Sequence, residues 1–204
     1  MSQESILLVG AGGHAKACID VIEREGRFSV KGLVGLSDEV GSQILDYSVL
    51  GTDGDLPLLL QECPNVLIAV GQIKSPEPRI RLFDQIKLNN CEFPAIVSPH
   101  AYVSPHSTLN AGTIVMHGAI INAGVVVGRN CIINSQSLIE HDVIISDHCH
   151  IATSATINGG VQIGLGTFVG SGSSVRQGTK IGEHCFIGMG RQVLSDCEAG
   201  ALMP

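Results

Sequence analysis

The segment Glu140-His141-Asp142 places an imidazole between two carboxylates. A neutral imidazole accepts a proton near neutral pH, and a neighbouring carboxylate can orient the ring and stabilise the imidazolium that forms. The three residues therefore suit general-base chemistry, with His141 as the base. A solvent-exposed histidine without a chemical role is the competing interpretation.

A glycine-rich turn near the N-terminus has the composition of a phosphate site. Residues 10–16 read Gly-Ala-Gly-Gly-His-Ala-Lys, after an apolar run from Ser5 to Val9 and before a helical pattern that extends to about Glu25. In the opening strand, turn and helix of a doubly wound domain, backbone N–H groups and the helix N-terminus hold a phosphate. The full G-x-G-x-x-G pattern is absent because Ala15 occupies the third glycine position, so a tight turn without a ligand is the alternative.

The C-terminal half that must position His141 is a hexapeptide repeat. Every sixth position from Val97 to Val193 is Ile, Val or Leu without a gap, and the residue two before each is mostly small. This pattern predicts an all-β left-handed parallel β-helix, in which the aliphatic side chain fills the interior and the small residue packs beside it. Glycines often follow the aliphatic position, where we expect them to permit the turn: Gly128, Gly164, Gly170, Gly182 and Gly188.

Three hexads make one triangular coil, so residues 18 apart stack on successive coils and the repeat predicts between five and six coils. His141 lies two residues after Ile139, in a phase that points away from the interior. Gly159 follows His141 by 18 residues and lies on the next coil, about 4.8 Å away. Its backbone N–H suits an oxyanion donor, whereas an ordinary turn glycine is the competing interpretation.

Cysteine usage indicates free thiols. Cys131, Cys149 and Cys185 occupy the small inward position of the repeat, where a thiol acts as a compact hydrophobe. A nucleophile or a metal ligand is the alternative interpretation for these three. The chain has seven cysteines and no C-x-x-C pair, which favours a reducing, cytoplasmic location.

The N-terminal half follows a different rule, and we predict an α/β Rossmann-like domain over residues 1–95, followed by the β-helix over residues 96–204. Apolar runs between helical patterns are typical of such a domain. Beyond the first strand and helix, the predicted elements are strands at Val30–Leu36, Val66–Val70 and Phe93–Val97 and helices at Asp55–Glu62 and Arg79–Asn89.

Charge and hydropathy exclude several classes of partner. The net charge of −7, without any basic run, argues against nucleic acid and against an anionic membrane surface. The apolar stretch Val66–Val70 is far too short to span a bilayer. The N-terminus has no basic region followed by an apolar one, so no signal peptide is predicted.

Together these motifs resemble one bacterial family, the sialic acid O-acetyltransferases and the N-acetyltransferases of UDP-, GDP- or dTDP-linked 4-amino-sugars. The resemblance rests on the turn at residues 10–16, the Ile-Glu-His-Asp motif within hexapeptide repeats and His150 nine residues after His141. It covers nearly the whole chain. It implies a homotrimer without a metal, with acetyl-CoA in a cleft between neighbouring β-helices and the nucleotide of the sugar on the N-terminal domain.

The resemblance also implies roles for individual residues. His141 is the catalytic base, Asp142 is its acidic partner, and His150 contacts acetyl-CoA. The residues matched to the sugar and nucleotide are Gly12, Gly13, His14 and Lys16 of the turn, Asp38 after the second strand, Gly71 after a later strand, and Asn134. In the family an acidic pair follows the second strand, and Asp38 is the one member present after Leu36-Ser37. The family also has Gly-Asp-Asn and then Arg after the later strand, whereas residues 71–79 here form a longer loop that leaves a free sugar open as the acceptor.

The reaction implied is transfer of acetyl from acetyl-CoA to the 4-amino group of a nucleotide-linked deoxysugar for surface polysaccharide synthesis. O-acetylation of sialic acid or a related nonulosonic acid is the alternative. A zinc-dependent carbonic anhydrase is a remoter one, because trimeric β-helices of that class bind zinc through three histidines. Here His117 shares a phase with His141, and His148 and His150 flank Cys149. A catalytically inactive sensor of nucleotide sugars is the third alternative function.

Overall fold

The computed structural model describes residues 3–89 and 91–204, and it contains an α/β domain followed by a parallel β-helix. Residues 1, 2 and 90 of the predicted domain 1–95 lie outside this description. The elements of the α/β domain are β1 (Glu4–Val9), α1 (Gly13–Glu25), β2 (Phe28–Val34), β3 (Gln43–Ile44), β4 (Tyr47–Gly51), a 3₁₀ turn (Asp53–Asp55), α2 (Leu56–Glu62), β5 (Asn65–Ile68) and α3 (Glu77–Lys87).

The sheet of this domain has the order β3-β4-β2-β1-β5. The pairs formed by β1 with β2, β1 with β5 and β2 with β4 are parallel, and β3 pairs with β4 in antiparallel fashion. Burial on both faces explains the continuous apolar runs of β1 and β5. The hairpin β3-β4 was not predicted, because its strands are short and half-exposed and carry no continuous apolar run.

Most predicted elements of this domain have different bounds in the structure. The strand β2 is Phe28–Val34 rather than Val30–Leu36, β5 is Asn65–Ile68 rather than Val66–Val70, and α2 begins at Leu56 rather than Asp55. The third helix begins at Glu77 rather than Arg79, because Pro78 is accommodated in its first turn, where a missing N–H costs nothing. The predicted strand at Phe93–Val97 is wrong over most of its length. Only Ile96–Val97 is extended, and it is the first strand of the β-helix.

The β-helix confirms the hexapeptide prediction. Each of the seventeen periodic aliphatics ends a two-residue strand, and strands 18 residues apart pair in parallel, as in Ile133 with Ile151. The strands are β6 (Ile96–Val97), β7 (Tyr102–Val103), β8 (Thr108–Leu109), β9 (Ile114–Val115), β10 (Ile120–Ile121), β11 (Val126–Val127), β12 (Ile132–Ile133), β13 (Leu138–Ile139), β14 (Ile144–Ile145), β15 (His150–Ile151), β16 (Thr156–Ile157), β17 (Gln162–Ile163), β18 (Phe168–Val169), β19 (Ser174–Val175), β20 (Lys180–Ile181), β21 (Phe186–Ile187), β22 (Gln192–Val193) and a last β23 (Leu202–Met203).

These strands form three sheets, which are the three faces of the solenoid. The first face consists of β6, β9, β12, β15, β18, β21 and β23. The second runs from β7 to β22 and the third from β8 to β20, each taking every third strand. The second residue of each strand points inward, and most of these residues are fully buried in one continuous aliphatic core.

The glycines that follow the aliphatic positions do not serve the turn, which corrects the prediction. Gly128 and Gly164 lie outside the left-handed region of φ, as do their equivalents on other coils. A Cβ atom at Gly128 would lie 2.6 Å from the backbone nitrogen of Asp147, and one at Gly164 would lie 2.5 Å from that of Glu183. Glycine is therefore required because the backbone of the next coil approaches too closely for a side chain.

The cysteines behave as the repeat predicts. Cys131, Cys149 and Cys185 are buried in the solenoid core, and all seven cysteines of the chain are free. Burial raises the pKa of the Cys149 thiol well above its usual value. A thiol held in its neutral form is a poor nucleophile, so the packing role is favoured over the catalytic one.

The N-terminal domain packs on the first face of the β-helix. The outward side chains Ile96, Ile114 and Ile132 join one apolar cluster with residues of α1 and the sheet. A buried arginine, Arg79 of α3, also crosses this interface. Its guanidinium donates to the carbonyl oxygens of Ile68 (2.8 Å) and Val70 (2.6 Å) and to Oδ1 of Asn130 in the β-helix (2.7 Å).

No helix within the described ranges is long and apolar enough to cross a membrane.

Candidate active site

A cleft of about 710 Å³ opens at the carboxyl ends of β1, β2 and β5, and we call it the N-terminal cleft. Ligands of open parallel sheets bind at this edge, beyond the ends of the strands. The turn after β1 and the loops after β2 and β5 form its walls. Its lining residues include Gly10, Gly12, Gly13, His14, Gly35, Leu36, Glu39, Asp53, Gly71, Ile73 and Arg81.

The glycines of the turn differ in whether the fold itself requires glycine. Gly10 has a φ of +121°, and a Cβ there would lie 2.7 Å from the backbone nitrogen of Val70, so the fold requires it. At Gly12 and Gly13 no described atom lies within 4 Å of the Cβ position, and neither φ is left-handed. Packing among the described residues therefore gives no reason for glycine at these two positions.

The N-terminus of α1 presents backbone donors to this open space. Gly12 is the N-cap of the helix, with φ −85° and ψ −167°, and no side chain of the described residues caps it. The first N–H groups of a helix have no partner within the helix, and they carry the positive end of its dipole. Open space in front of such a terminus is the geometry of an anion site.

The other residues predicted to hold the nucleotide or sugar are placed as follows. His14 and Gly71 line the cleft, whereas Lys16 and Asp38 are exposed and are not among the lining residues. Burial lowers the pKa of His14 to about 3, with smaller contributions from the charge of Arg79 and from His150, so the ring is neutral. Asn134 lies on the β-helix, where its side chain contacts His150.

Three charged residues of the cleft were missed by the sequence analysis. Glu39 accepts a hydrogen bond from the backbone N–H of Leu36 (2.8 Å), and Arg81 lies 3.8 Å from Asp53. Glu39 adjoins Asp38, so the acidic pair expected after the second strand was the signal that could have found it. Nothing in the local pattern indicated Arg81, because the orientation of α3 places it there.

The predicted base lies on the β-helix edge between the second and third faces, and we call His141, Asp142 and Gly159 there the His141 corner. Nδ1 of His141 lies 2.9 Å from Oδ2 of Asp142, and both side chains are exposed. A carboxylate only accepts hydrogen bonds, so Nδ1 carries the proton and the neutral ring has its lone pair on Nε2. The other neighbour, Glu140, instead accepts a hydrogen bond from Asn122 (3.0 Å).

Glycines make room for both members of this pair. A Cβ atom at Gly159 would lie 2.6 Å from Nε2 of His141, so the imidazole lies directly over this residue. The φ of Gly159 lies outside the left-handed region, so turn geometry gives no reason for glycine there. On the preceding coil, a Cβ at Gly124 would meet Oδ1 of Asp142. Any side chain at these glycines would displace the His141–Asp142 pair.

The N-terminal cleft and the His141 corner lie on different sides of the chain. Hydrogen bonds join the N-terminal domain to His117, to Asn130 and to Gly166, which lie on the two edges of the first face. Within the described ranges, no hydrogen bond or ion pair joins that domain to the His141 corner. The third edge of a triangular solenoid lies opposite the first face, so the N-terminal cleft and His141 do not face each other within the chain.

The remaining histidines have separate environments. His117 lies between Ser98 (2.5 Å) and Asp20 (2.8 Å), and His148 contacts Asn130 (3.0 Å). Among the residues described, no three His, Cys, Asp or Glu side chains converge as a metal site. His150 is buried on the first face, where Nδ1 contacts the carbonyl oxygen of Gln72 in the loop after β5.

Comparisons with known proteins agree with both halves of this architecture. Residues 5–86 match the PglD N-terminal domain family. No curated protein sequence is a significant match. The whole chain is similar to PerB from Caulobacter crescentus in complex with CoA and GDP-perosamine, with 29% identity, a TM-score of 0.91 and coverage of 98% of this chain and 94% of that one.

Two further solved structures are similar over the same extent. One is a histidine-to-asparagine mutant of perosamine N-acetyltransferase from Caulobacter crescentus with CoA and GDP-perosamine, at 28% identity and a TM-score of 0.92, covering 98% and 93% of the two chains. The other is the acetyltransferase domain of PglB from Neisseria gonorrhoeae FA1090 with acetyl coenzyme A, at 26% identity and a TM-score of 0.90, covering 98% and 96%. The chain thus has a PglD-type N-terminal domain, and over its whole length it shares its fold with solved structures of sugar acetyltransferases.

Proposed function

We propose that the protein transfers the acetyl group of acetyl-CoA to the 4-amino group of a nucleotide-linked deoxysugar. The observation that carries the proposal is the His141–Asp142 pair over Gly159, which presents a lone pair at Nε2. The pair lies on a fold that is similar to two solved structures in complex with CoA and GDP-perosamine.

In the proposed reaction, the neutral amine attacks the thioester carbonyl, and Nε2 of His141 takes the proton that the nitrogen loses. Asp142 holds Nδ1–H and stabilises the imidazolium. The backbone N–H of Gly159 is the proposed donor to the oxyanion of the tetrahedral intermediate. When the C–S bond breaks, the imidazolium returns the proton to the sulfur, and the products are the N-acetyl sugar and CoA.

The N-terminal cleft is the proposed site of the nucleotide. Its open space in front of α1 suits the diphosphate, because Gly12 and Gly13 let the ligand approach the backbone N–H groups. His14 and Gly71 are proposed to contact the sugar end, and Asp38 with Glu39 the nucleoside end, since an acidic group after the second strand suits ribose hydroxyls. Lys16, on the first turns of the same helix, is proposed to attract the phosphates.

We infer that the active unit is a homotrimer in which the cleft of one copy faces the His141 corner of another. The opposite placement of the two regions within one copy supports this inference. Exposed apolar side chains on both faces that meet at this corner support it as well, because a second copy would cover them. They are Tyr102 and Ile120 on the second face and Val126 and Ile144 on the third.

We expect Gly13→Ala to weaken binding of the nucleotide sugar by about 10- to 100-fold, the cost of one lost charge-assisted hydrogen bond. Alanine is a better helix former than glycine, and the Cβ position is open, so the melting temperature should not fall. Acetyl-CoA affinity should remain nearly intact. Calorimetry with each ligand separately, together with a thermal melt, measures the three effects. Equal loss of both ligands, or loss of neither, would show that the turn is only structural.

Acceptor identity is tested by CoA release with a panel of UDP-, GDP-, dTDP- and CMP-sugars and free nonulosonic acids. We expect the fastest release with a nucleotide-linked 4-amino-sugar. Faster release with a free nonulosonic acid would assign O-acetylation instead. No release with any acceptor would reject acetyl transfer.

A further inference from the structure

Both ring nitrogens of His150 are engaged in the interface between the two domains. Nδ1 lies 2.6 Å from the carbonyl oxygen of Gln72, and Nε2 lies 3.1 Å from Nδ2 of Asn134. The side chain is buried and packs edge-on against Phe168, with the ring centroids 5.2 Å apart.

Backbone groups at both ends determine the direction of these hydrogen bonds. The carbonyl of Gln72 only accepts, so Nδ1 of His150 carries the proton. At the other end, the backbone N–H of Ser135 donates to Oδ1 of Asn134 (2.8 Å), which turns Nδ2 of that amide toward the ring. Nδ2 can only donate, so Nε2 of His150 is the acceptor. The three hydrogen bonds that lead from Ser135 through Asn134 and His150 to Gln72 therefore all donate in the same direction, and we call this series the relay.

The electrostatic surroundings keep this ring neutral. Burial lowers the pKa of His150 to about 4, and the charge of Arg79 acts in the same direction, against the effect of the hydrogen bond to Gln72. A neutral ring with its proton on Nδ1 has no N–H on Nε2. It cannot donate a hydrogen bond to the carbonyl oxygen of a thioester.

The relay ends on a wall of the N-terminal cleft. Gln72 lies between Gly71 and Ile73, which both line the cleft. Its side chain makes a second attachment, since Nε2 of Gln72 donates to the carbonyl oxygen of Gly166 in the β-helix (3.1 Å). His150 thus joins the loop at Gly71–Ile73 to the solenoid.

We propose that His150 and Asn134 are positioning residues for the nucleotide sugar: they hold the loop at Gly71–Ile73 on the β-helix and thereby set the shape of the cleft. This role differs from the contact with acetyl-CoA that the family resemblance implies for His150. It rests on the proposed function only for the identity of the ligand in the cleft.

The tautomer is tested on the free protein by ¹⁵N NMR of labelled histidine, which needs no substrate. We expect neutral His150 with its proton on Nδ1 throughout pH 6–8. In Asn134→Asp both ring nitrogens face acceptors, so we expect an imidazolium at pH 7. A proton on Nε2 in the wild type, or a neutral ring in Asn134→Asp, would overturn the relay.

The positioning role is tested by steady-state kinetics of His150→Phe and His150→Asn, with the nucleotide sugar that the wild type acetylates fastest. Phenylalanine should fit, because the next two outward residues of the same column, Phe168 and Phe186, stack at 5.3 Å. We expect His150→Phe to raise KM for the nucleotide sugar about 5- to 10-fold, the net value of one or two hydrogen bonds, with KM for acetyl-CoA within about twofold. Asparagine places an N–H near the position of Nδ1, and we expect it to restore most of the affinity.

An increase confined to KM for acetyl-CoA, or no rescue by asparagine, would reject the positioning role. If the wild type acetylates no nucleotide sugar, the proposed function fails. The NMR measurement then still decides whether the relay exists.

Discussion

Replacement of His141 by alanine should lower kcat by about 10²- to 10⁴-fold, the usual contribution of a positioned general base. The ring is exposed and lies over Gly159, so its removal leaves the aliphatic core of the solenoid unchanged. Acetyl-CoA affinity should be largely retained. Rates of CoA release under saturating substrates, with light scattering to verify the assembly, provide the measurement.

The pH dependence gives an independent readout of the same role. The wild-type rate should rise with pH, because a general base accepts a proton from the amine only in its unprotonated form. The acceptor amine also ionises, so the profile of the alanine variant must be measured beside that of the wild type. If His141→Ala assembles normally and turns over near the wild-type rate, His141 has no part in the mechanism. Asp142 or substrate-assisted attack would then be the remaining options.

Mixed trimers of two inactive variants should recover about one third of the wild-type activity. One variant is His141→Ala, which retains its cleft. The other is Gly13→Glu, whose carboxylate enters the proposed phosphate site but suits a helix N-terminus, so the fold is retained. If each site takes its cleft from one copy and its base from the next, every mixed trimer has one site in three in which both parts are intact, whichever variant supplies two of its copies.

Co-expression with two affinity tags and sequential purification isolates the mixed trimers. Each variant alone, carried through the same procedure, is the control and should be nearly inactive. A mixed preparation no more active than these controls would place the cleft and the base of each site in one copy. A stable, active monomer in light scattering would reject the shared site altogether.

The sequence by itself determined the solenoid and the pair at its corner. A hexapeptide period leaves one interior position in every six, and three hexads close a coil, so aliphatic spacing alone specifies strand register and stacking. The same arithmetic placed Gly159 on the coil next to His141. Adjacency in the chain placed Asp142 beside it. Both relations are local or strictly periodic, and so they can be derived without knowing what packs outside the coil.

Tertiary structure alone decided what covers the outside of the coil. Ile96, Ile114 and Ile132 stand in one outward column that continues as His150, and the docking of the N-terminal domain on this column buries the histidine and engages both its nitrogens. The orientation of α3 likewise brought Arg81 into the cleft, and the approach of neighbouring coils explained Gly128 and Gly164. These outcomes depend on contacts between residues far apart in the chain with no fixed period, and a one-dimensional pattern carries no record of such contacts.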